Sequence, residues 1–226
     1  MKRDNRSFPG FITVEGGEGA GKTTLIEILV EELTSRGMNV VRTREPGGTA
    51  LGNEIRGLLL NKEKHLPIID KAELLLFLAA RAQHIEEVIA PAIATGKTVV
   101  CDRFNDSTVA YQGAARGLGT DYVRSLCNQV CGDVLPSLTF YLDVDPSIGL
   151  QRTRRAAKEN ASVGEVDRIE SEAMEFHTKV REAFLSMARS EPERFVVIDA
   201  SGTLATVSEA LIKAIAARFE PQHHDV

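Results

Sequence analysis

The chain has 226 residues, enough for one large domain with a well-buried core or for two small ones. Hydrophobic residues make up 43% and charged residues 26%, the proportions of a globular protein rather than a fibrous or disordered one. The net charge of −5 argues against sequence-independent binding to nucleic acid, and no apolar run reaches the roughly 18 residues that span a bilayer.

The first ten residues, MKRDNRSFPG, are charged and lead into no apolar signal core, so a cytoplasmic location is expected. The stretch GFITVEG then reads as a buried strand that Gly16 ends. Leu25, Ile28, Leu29 and Leu33 recur at helical spacing, with Gly37 as terminator. MNVVRTR reads as a second strand, closed by the turn chemistry of EPGGT. A short helix covers LGNEIRGLLLN, and a long one runs from about Asp70 to Thr95 with a bend expected near Pro91.

KTVVCDR, LTFYLDVD and RFVVIDA supply three more strands, and a helix from Leu204 to Phe219 closes the pattern. Alternating strands and helices predict an α/β fold whose parallel sheet is covered on both faces. No internal repeat is present, and a single domain over residues 1–226 is expected. The polar stretch RAAKENASVGEVD reads as an insertion between two helices. Cys101, Cys127 and Cys131 are too few and too unevenly placed for a disulfide framework. Without further ligands nearby they are buried thiols rather than a metal site.

GGEGAGKT, Gly16 to Thr23, satisfies the phosphate-loop pattern G-x-x-x-x-G-K-[ST] between a strand and a helix. The small residues Gly16, Gly17, Gly19, Ala20 and Gly21 let backbone N–H groups converge on an anion, and the helix N-terminus adds positive potential. Lys22 is placed for the β- and γ-phosphates and Thr23 for Mg2+, with Thr24 following. A bare glycine-rich turn with an exposed lysine explains the context less well. The ligand is thus a nucleoside triphosphate, and Glu18 is a carboxylate in the middle of its binding loop.

The guanine-reading N-K-x-D of GTPases is absent. CDRF, at the end of the third strand, puts Asp102 where it meets a metal directly or through water, and Arg103 where its fork grips an anion. Alone, an Asp-Arg step equally suits a surface ion pair. Beside a phosphate loop it suggests a second, phosphate-bearing substrate.

VEGGEGAGKTT, TREPGGT, DKAELLLFLAARAQH, DRFNDSTVAYQG, LTFYLDVDPSIGLQR, DRIE and VIDA, in that order over about residues 11–200, resemble the thymidylate kinase family. The resemblance implies the three-layer sandwich of P-loop NTPases, with a five-stranded parallel sheet. It implies transfer of a phosphoryl group from ATP to thymidylate (dTMP) with Mg2+, neither nucleic acid nor membrane as partner, and a homodimer formed by helix packing.

Carried over residue by residue, the resemblance stacks Phe77 on thymine and brings Arg81, one turn later, to the base edge. Ser107, Thr108 and Gln112 line the same pocket, and Tyr111 crowds the sugar's 2′ side. Arg103 with Arg56 takes the acceptor phosphate, Arg44 and Glu45 border it, and Pro46 shapes the turn. Glu18 points to the acceptor side. From the residues alone, Phe77 and Arg81 equally suit a core ring beside a structural ion pair, Arg56 a solvated helix position, and Glu18 a favourable helix N-terminus.

The variable loop positions Gly17, Glu18, Gly19 and Ala20 include no base. The resemblance then assigns the catalytic cation to a lid insertion at about 152–167. Arg152 packs on adenine, Arg154 or Arg155 contacts the transferred phosphoryl, and the backbone of Asp199 to Thr203 completes the adenine pocket. Lys158 and Arg168 belong to the same basic run, which a solvated helix face would also explain. A kinase of another pyrimidine monophosphate or of a deoxynucleoside, and a switch protein that hydrolyses ATP slowly, are the alternatives. The PQHHDV tail is expected to be solvent-exposed.

Overall fold

The computed structural model describes residues 10–60, 66–159 and 168–219. The expected PQHHDV tail, the charged amino terminus and residues 160–167 of the expected lid therefore lie outside the described residues.

Five strands form one parallel sheet: β1 (Phe11–Gly16), β2 (Val40–Arg44), β3 (Thr98–Asp102), β4 (Leu138–Asp143) and β5 (Phe195–Asp199). Their spatial order is β2-β3-β1-β4-β5. The register aligns Val14 with Asp102 on one side of β1 and Gly16 with Leu142 on the other. The carboxyl ends of the three central strands therefore finish side by side, where ligands gather in open α/β sheets.

Alternation along the strands divides the core. Ile12, Val14, Leu138, Phe140 and Leu142 face the layer built by α1 (Lys22–Ser35) and α9 (Leu204–Phe219). Helix α1 offers Leu25, Ile26, Leu29 and Leu33 to this layer, and α9 offers Val207, Leu211 and Ile215. Burying an aliphatic side chain of this size contributes about 1.5–3 kcal/mol.

The opposite face is covered by α3 (Asp70–His84), α4 (Ala90–Ala94), α6 (Thr120–Cys131) and α8 (Met174–Ser190). Between α3 and α4 the helix widens into a π-helical turn, Ile85–Ile89. The expected bend near Pro91 takes this form: proline has no N–H for an i→i−4 bond, and the register shifts just before it. The three cysteines are buried and unbridged, as expected.

The remaining helices carry the site. They are α2 (Ala50–Leu60), α5 (Asn105–Thr108) with the π-helical continuation Val109–Ala115, and α7 (Pro146–Glu159). Among the described residues no helix is long and apolar enough to cross a membrane.

Candidate active site

A cavity of about 450 Å3 opens at the carboxyl ends of the strands. At one end lie Glu18 to Thr24 of the β1–α1 loop, and at the other Phe77 and Arg81 of α3; Asp102, Arg103 and Tyr111 line the cavity as well.

The loop gains its shape from glycines at two kinds of position. Gly21 (φ 86°) is left-handed and turns the chain into α1 without a side-chain cap. Gly19 (φ 65°) packs so closely on α7 that a Cβ there would lie 2.0 Å from the Gly149 carbonyl oxygen. A Cβ on Gly149 would in turn meet the Glu18 carbonyl oxygen at 2.1 Å. The loop and the first turn of α7 are thus in backbone contact, which only paired glycines permit.

Lys22 donates from Nζ to the carbonyl oxygens of Gly16 (3.1 Å) and Gly17 (2.9 Å). Burial, with the nearby Arg103 charge, lowers its pKa, and Glu18 partly opposes the shift. The Asp102 Oδ1 atom is buried and accepts no hydrogen bond among the described residues. An acceptor left over in this way, in the same cavity as Thr23, fits a hard divalent cation.

Glu18 does not face the centre of its own loop. Its Oε1 accepts from Arg103 Nη2 at 2.8 Å and from the Tyr111 hydroxyl at 2.8 Å. Burial alone would raise the Glu18 pKa, but Arg103, Lys22 and the Tyr111 bond outweigh it and hold the carboxyl below its ordinary value. Arg103 also donates from Nη1 to the Gly16 carbonyl (2.9 Å) and the Ser107 hydroxyl (3.2 Å), with its guanidinium 5.0 Å from the Tyr111 ring centre. Burial keeps the Tyr111 phenol well above its ordinary pKa, so it remains a donor.

Arg81 is 1% exposed. It donates from Nε to Glu45 Oε2 (2.8 Å) and from Nη2 to Thr108 Oγ1 (2.9 Å), and its Nη1 reaches Cys127 Sγ at 3.5 Å. The other oxygen of Glu45 meets His84 Nδ1 at 2.9 Å, and His84 Nε2 meets Thr43 Oγ1 at 2.6 Å. Arg81 is thus both half of a buried ion pair and part of the cavity lining. Phe77 lines the same end, half-buried against Ile55 and Leu59 of α2. Arg56 donates at 3.1 Å to the carbonyl of Pro46, the residue that follows the cis Glu45–Pro46 bond. Gln112 is buried and donates to Glu73 at 2.8 Å.

Arg152 donates to the carbonyl oxygens of Ala200 (2.7 Å), Ser201 (2.9 Å) and Gly202 (3.2 Å), joining α7 to the turn after β5. Arg152, Thr153 and Ala156 face the cavity. Arg154 and Arg155 do not: both are exposed and line a separate surface hollow with Ser147, Gln151, Lys158 and Met174. Arg155 pairs with Glu159 at 2.7 Å. Arg44 is exposed at the end of β2 and does not line the cavity. Gly16 contributes its carbonyl to Lys22 and Arg103 rather than lining the cavity.

Three buried acids escaped the sequence reading. Glu15 on β1 accepts from the Phe104 N–H (2.8 Å) and the Ser107 hydroxyl (2.6 Å). Asp106 pairs with Arg194 at 2.6 Å. Glu73 gathers Gln112, Arg116 and Arg168. Glu15 had a visible signal, since an acid inside an otherwise apolar strand of a parallel sheet has to be partnered.

Comparison with known proteins agrees with this geometry. Residues 14–211 match the family model described as thymidylate kinase. A thymidylate kinase of Protochlamydia amoebophila is 55% identical over 203 residues, covering 90% of each chain. One of Chlamydia trachomatis is 50% identical over 206 residues, covering 90% of this chain and 97% of the other. The crystal structure of thymidylate kinase from Ehrlichia chaffeensis superposes with a TM-score of 0.71 at 36% identity, covering 91% of this chain and 97% of its own. With its phosphate loop and this match over most of its length, the chain belongs to the thymidylate kinase family.

Proposed function

We infer that the two ends of the cavity hold donor and acceptor for one reaction, transfer of the γ-phosphoryl group of ATP to thymidylate, giving ADP and thymidine diphosphate. Membership of the family carries the reaction itself: the chain is an ATP-dependent nucleoside monophosphate kinase. The observation that carries the residue roles is Arg103, which reaches the carbonyl oxygen of Gly16 at the loop and a hydroxyl of the acceptor loop with one guanidinium.

Phosphoryl transfer asks the protein mainly for positioning and charge stabilisation. The loop amides and Lys22 cradle the ATP phosphates, and Arg152 with the carbonyls of residues 200–202 forms the adenine end. Thr23 and Asp102 would hold Mg2+, which when bound would supply neutralisation of the ATP phosphate charge. Arg103, with Arg56, orients the thymidylate phosphate in line. Phe77 offers its ring face to thymine, and Arg81, fixed by Glu45, presents its remaining edge with Thr108, Ser107 and Gln112 around it. Tyr111, held by Glu18, walls the sugar. Arg154 or Arg155 supplies the cation for the moving phosphoryl when the carboxyl end of α7 closes over ATP and excludes water.

The single domain acts as a homodimer: Ile69, just before α3, and Leu75 on it stand 71% and 61% exposed, apolar surface that a second copy would cover. A cytoplasmic location accords with the net negative charge and with the few, unbridged cysteines. Sedimentation at micromolar concentration tests the dimer, and a monomer would remove it.

The substrate assignment is tested by ADP release from Mg-ATP in the presence of a panel of nucleoside and deoxynucleoside monophosphates. Thymidylate is expected to stimulate release above deoxyuridylate and all others. Equal stimulation by another pyrimidine monophosphate would reassign the acceptor, and stimulation by none would end the kinase reading.

A further inference from the structure

We propose that Glu15 is a positioning residue for Arg103, acting through the Ser107 hydroxyl and the Phe104 amide. Glu15 is fully buried on the face of β1 that it shares with Thr13, pointing away from the layer of α1 and α9. Its two carboxylate oxygens are used on residues one and four positions after Arg103: Oε1 on the Phe104 N–H at 2.8 Å, Oε2 on the Ser107 hydroxyl at 2.6 Å. Ser107 Oγ in turn accepts from Arg103 Nη1 at 3.2 Å. A hydroxyl has one proton. Ser107 donates it to Glu15 Oε2, which leaves a hydroxyl lone pair directed at the guanidinium.

The backbone tells the same story. Arg103 is the only non-glycine with positive φ (65°) among the described residues, a conformation that persists only where neighbours over-determine it. On its amino side, the Arg103 N–H donates to Val14 of β1 at 3.0 Å. On its carboxyl side, the next N–H is taken by Glu15. Consecutive residues of β1 therefore clamp both flanks of Arg103, one by backbone and one by side chain. The remaining charged groups around Glu15 are already committed: Asp106 to Arg194, and Lys22 to the loop carbonyls. An aliphatic residue at this place would pack in the strand but would leave Ser107 free to turn and the amide without a partner.

The inference rests on the assignment of Arg103 to the acceptor phosphate, and its test separates the two. Steady-state rates are measured with each substrate varied for Glu15→Ala, Glu15→Asp, Glu15→Gln, Arg103→Ala and the Glu15→Asp/Arg103→Ala double variant. Glu15→Ala is expected to raise the thymidylate KM about tenfold while leaving the ATP KM within about twofold, the size of one misplaced charge-assisted hydrogen bond. Glu15→Gln, which keeps an acceptor for the amide and a polar group for Ser107, is expected to recover the thymidylate KM to within about threefold. Glu15→Asp retracts the carboxylate by one methylene and is expected to raise the KM several-fold, so it carries the test if Glu15→Ala does not fold. In the double variant, loss of Glu15 geometry is expected to add nothing to Arg103→Ala.

Unchanged thymidylate KM in both Glu15→Ala and Glu15→Asp would overturn the proposal. So would a loss of active protein with both KM values intact, which is the signature of a purely structural residue, or full additivity in the double variant. An Arg103→Ala enzyme with wild-type thymidylate KM would instead overturn the assignment of Arg103.

Discussion

Glu45 and Arg81 form an ion pair of 2.8 Å with side chains 3% and 1% exposed, directly behind the surface proposed to receive the thymine base. Removing one partner of a buried pair strands the other, at a cost of about 3–5 kcal/mol. Arg81→Ala is therefore expected to lower stability by that amount in urea unfolding, besides raising the thymidylate KM. Arg81→Lys is expected to be little better. A single ammonium cannot serve Glu45 and Thr108 from the positions of a planar fork.

Glu18 poses a different test. Its carboxylate holds Arg103 and Tyr111 together rather than touching the loop's own amides. Glu18→Ala is expected to raise the thymidylate KM by about tenfold, as expected for loss of one charge-assisted contact, with little change in the ATP KM. An intact thymidylate KM with lowered stability would mean that Glu18 serves the helix N-terminus alone.

Two buried glutamates should respond to pH in opposite senses. Burial, and then the Asp106 charge, push the Glu15 pKa up to about 8 from an ordinary 4.5. The native state thus binds the extra proton, and the stability tied to Glu15 is full below about 4.5 and is lost as pH rises through about 8. Burial also acts to raise Glu73, but hydrogen bonds from Arg168 and Gln112 and the charge of Arg116 outweigh it and lower its pKa. Stability tied to Glu73 is present above 4.5 and is lost as pH falls through its lowered folded value. Thermal melts across pH are expected to show Glu15→Gln flattening the alkaline side and Glu73→Gln flattening the acid side.

The lid cations give a fourth test. Arg154 and Arg155 are exposed on the side of α7 away from Lys22. If closure carries one of them to the phosphoryl group, the Arg154→Ala/Arg155→Ala double variant is expected to lose about 100-fold or more in kcat with the thymidylate KM retained. An unchanged kcat would exclude both.

The sheet was legible because its signals are local. Each strand is a run of β-branched and aromatic residues closed by turn chemistry, and the expected bounds of the last helix, Leu204 to Phe219, match those observed. Both ends of the cavity were legible through contiguous motifs. The buried acids behind them were not. Glu73 is joined to Arg168 across 95 positions, and Asp106 to Arg194 across 88. Periodicity within a helix carries no record of partners that far away. The π-helical winding at Val109–Ala115 was likewise invisible, since nothing in VAYQGAA prescribes the wider turn and tertiary packing decides the register.

Finally, the contact of Gly19 with Gly149 fixes where motion can begin. Two backbones that approach this closely slide past one another only by clashing, so the base of α7 travels with the donor loop as one body. Any swing of the basic segment would be absorbed beyond Gly149, so the arm proposed to close on ATP would be correspondingly short. A methyl group on Gly149 would wedge the two apart. Gly149→Ala should therefore weaken ATP binding from outside the nucleotide's own reach, a fault in the hinge mount rather than in the grip.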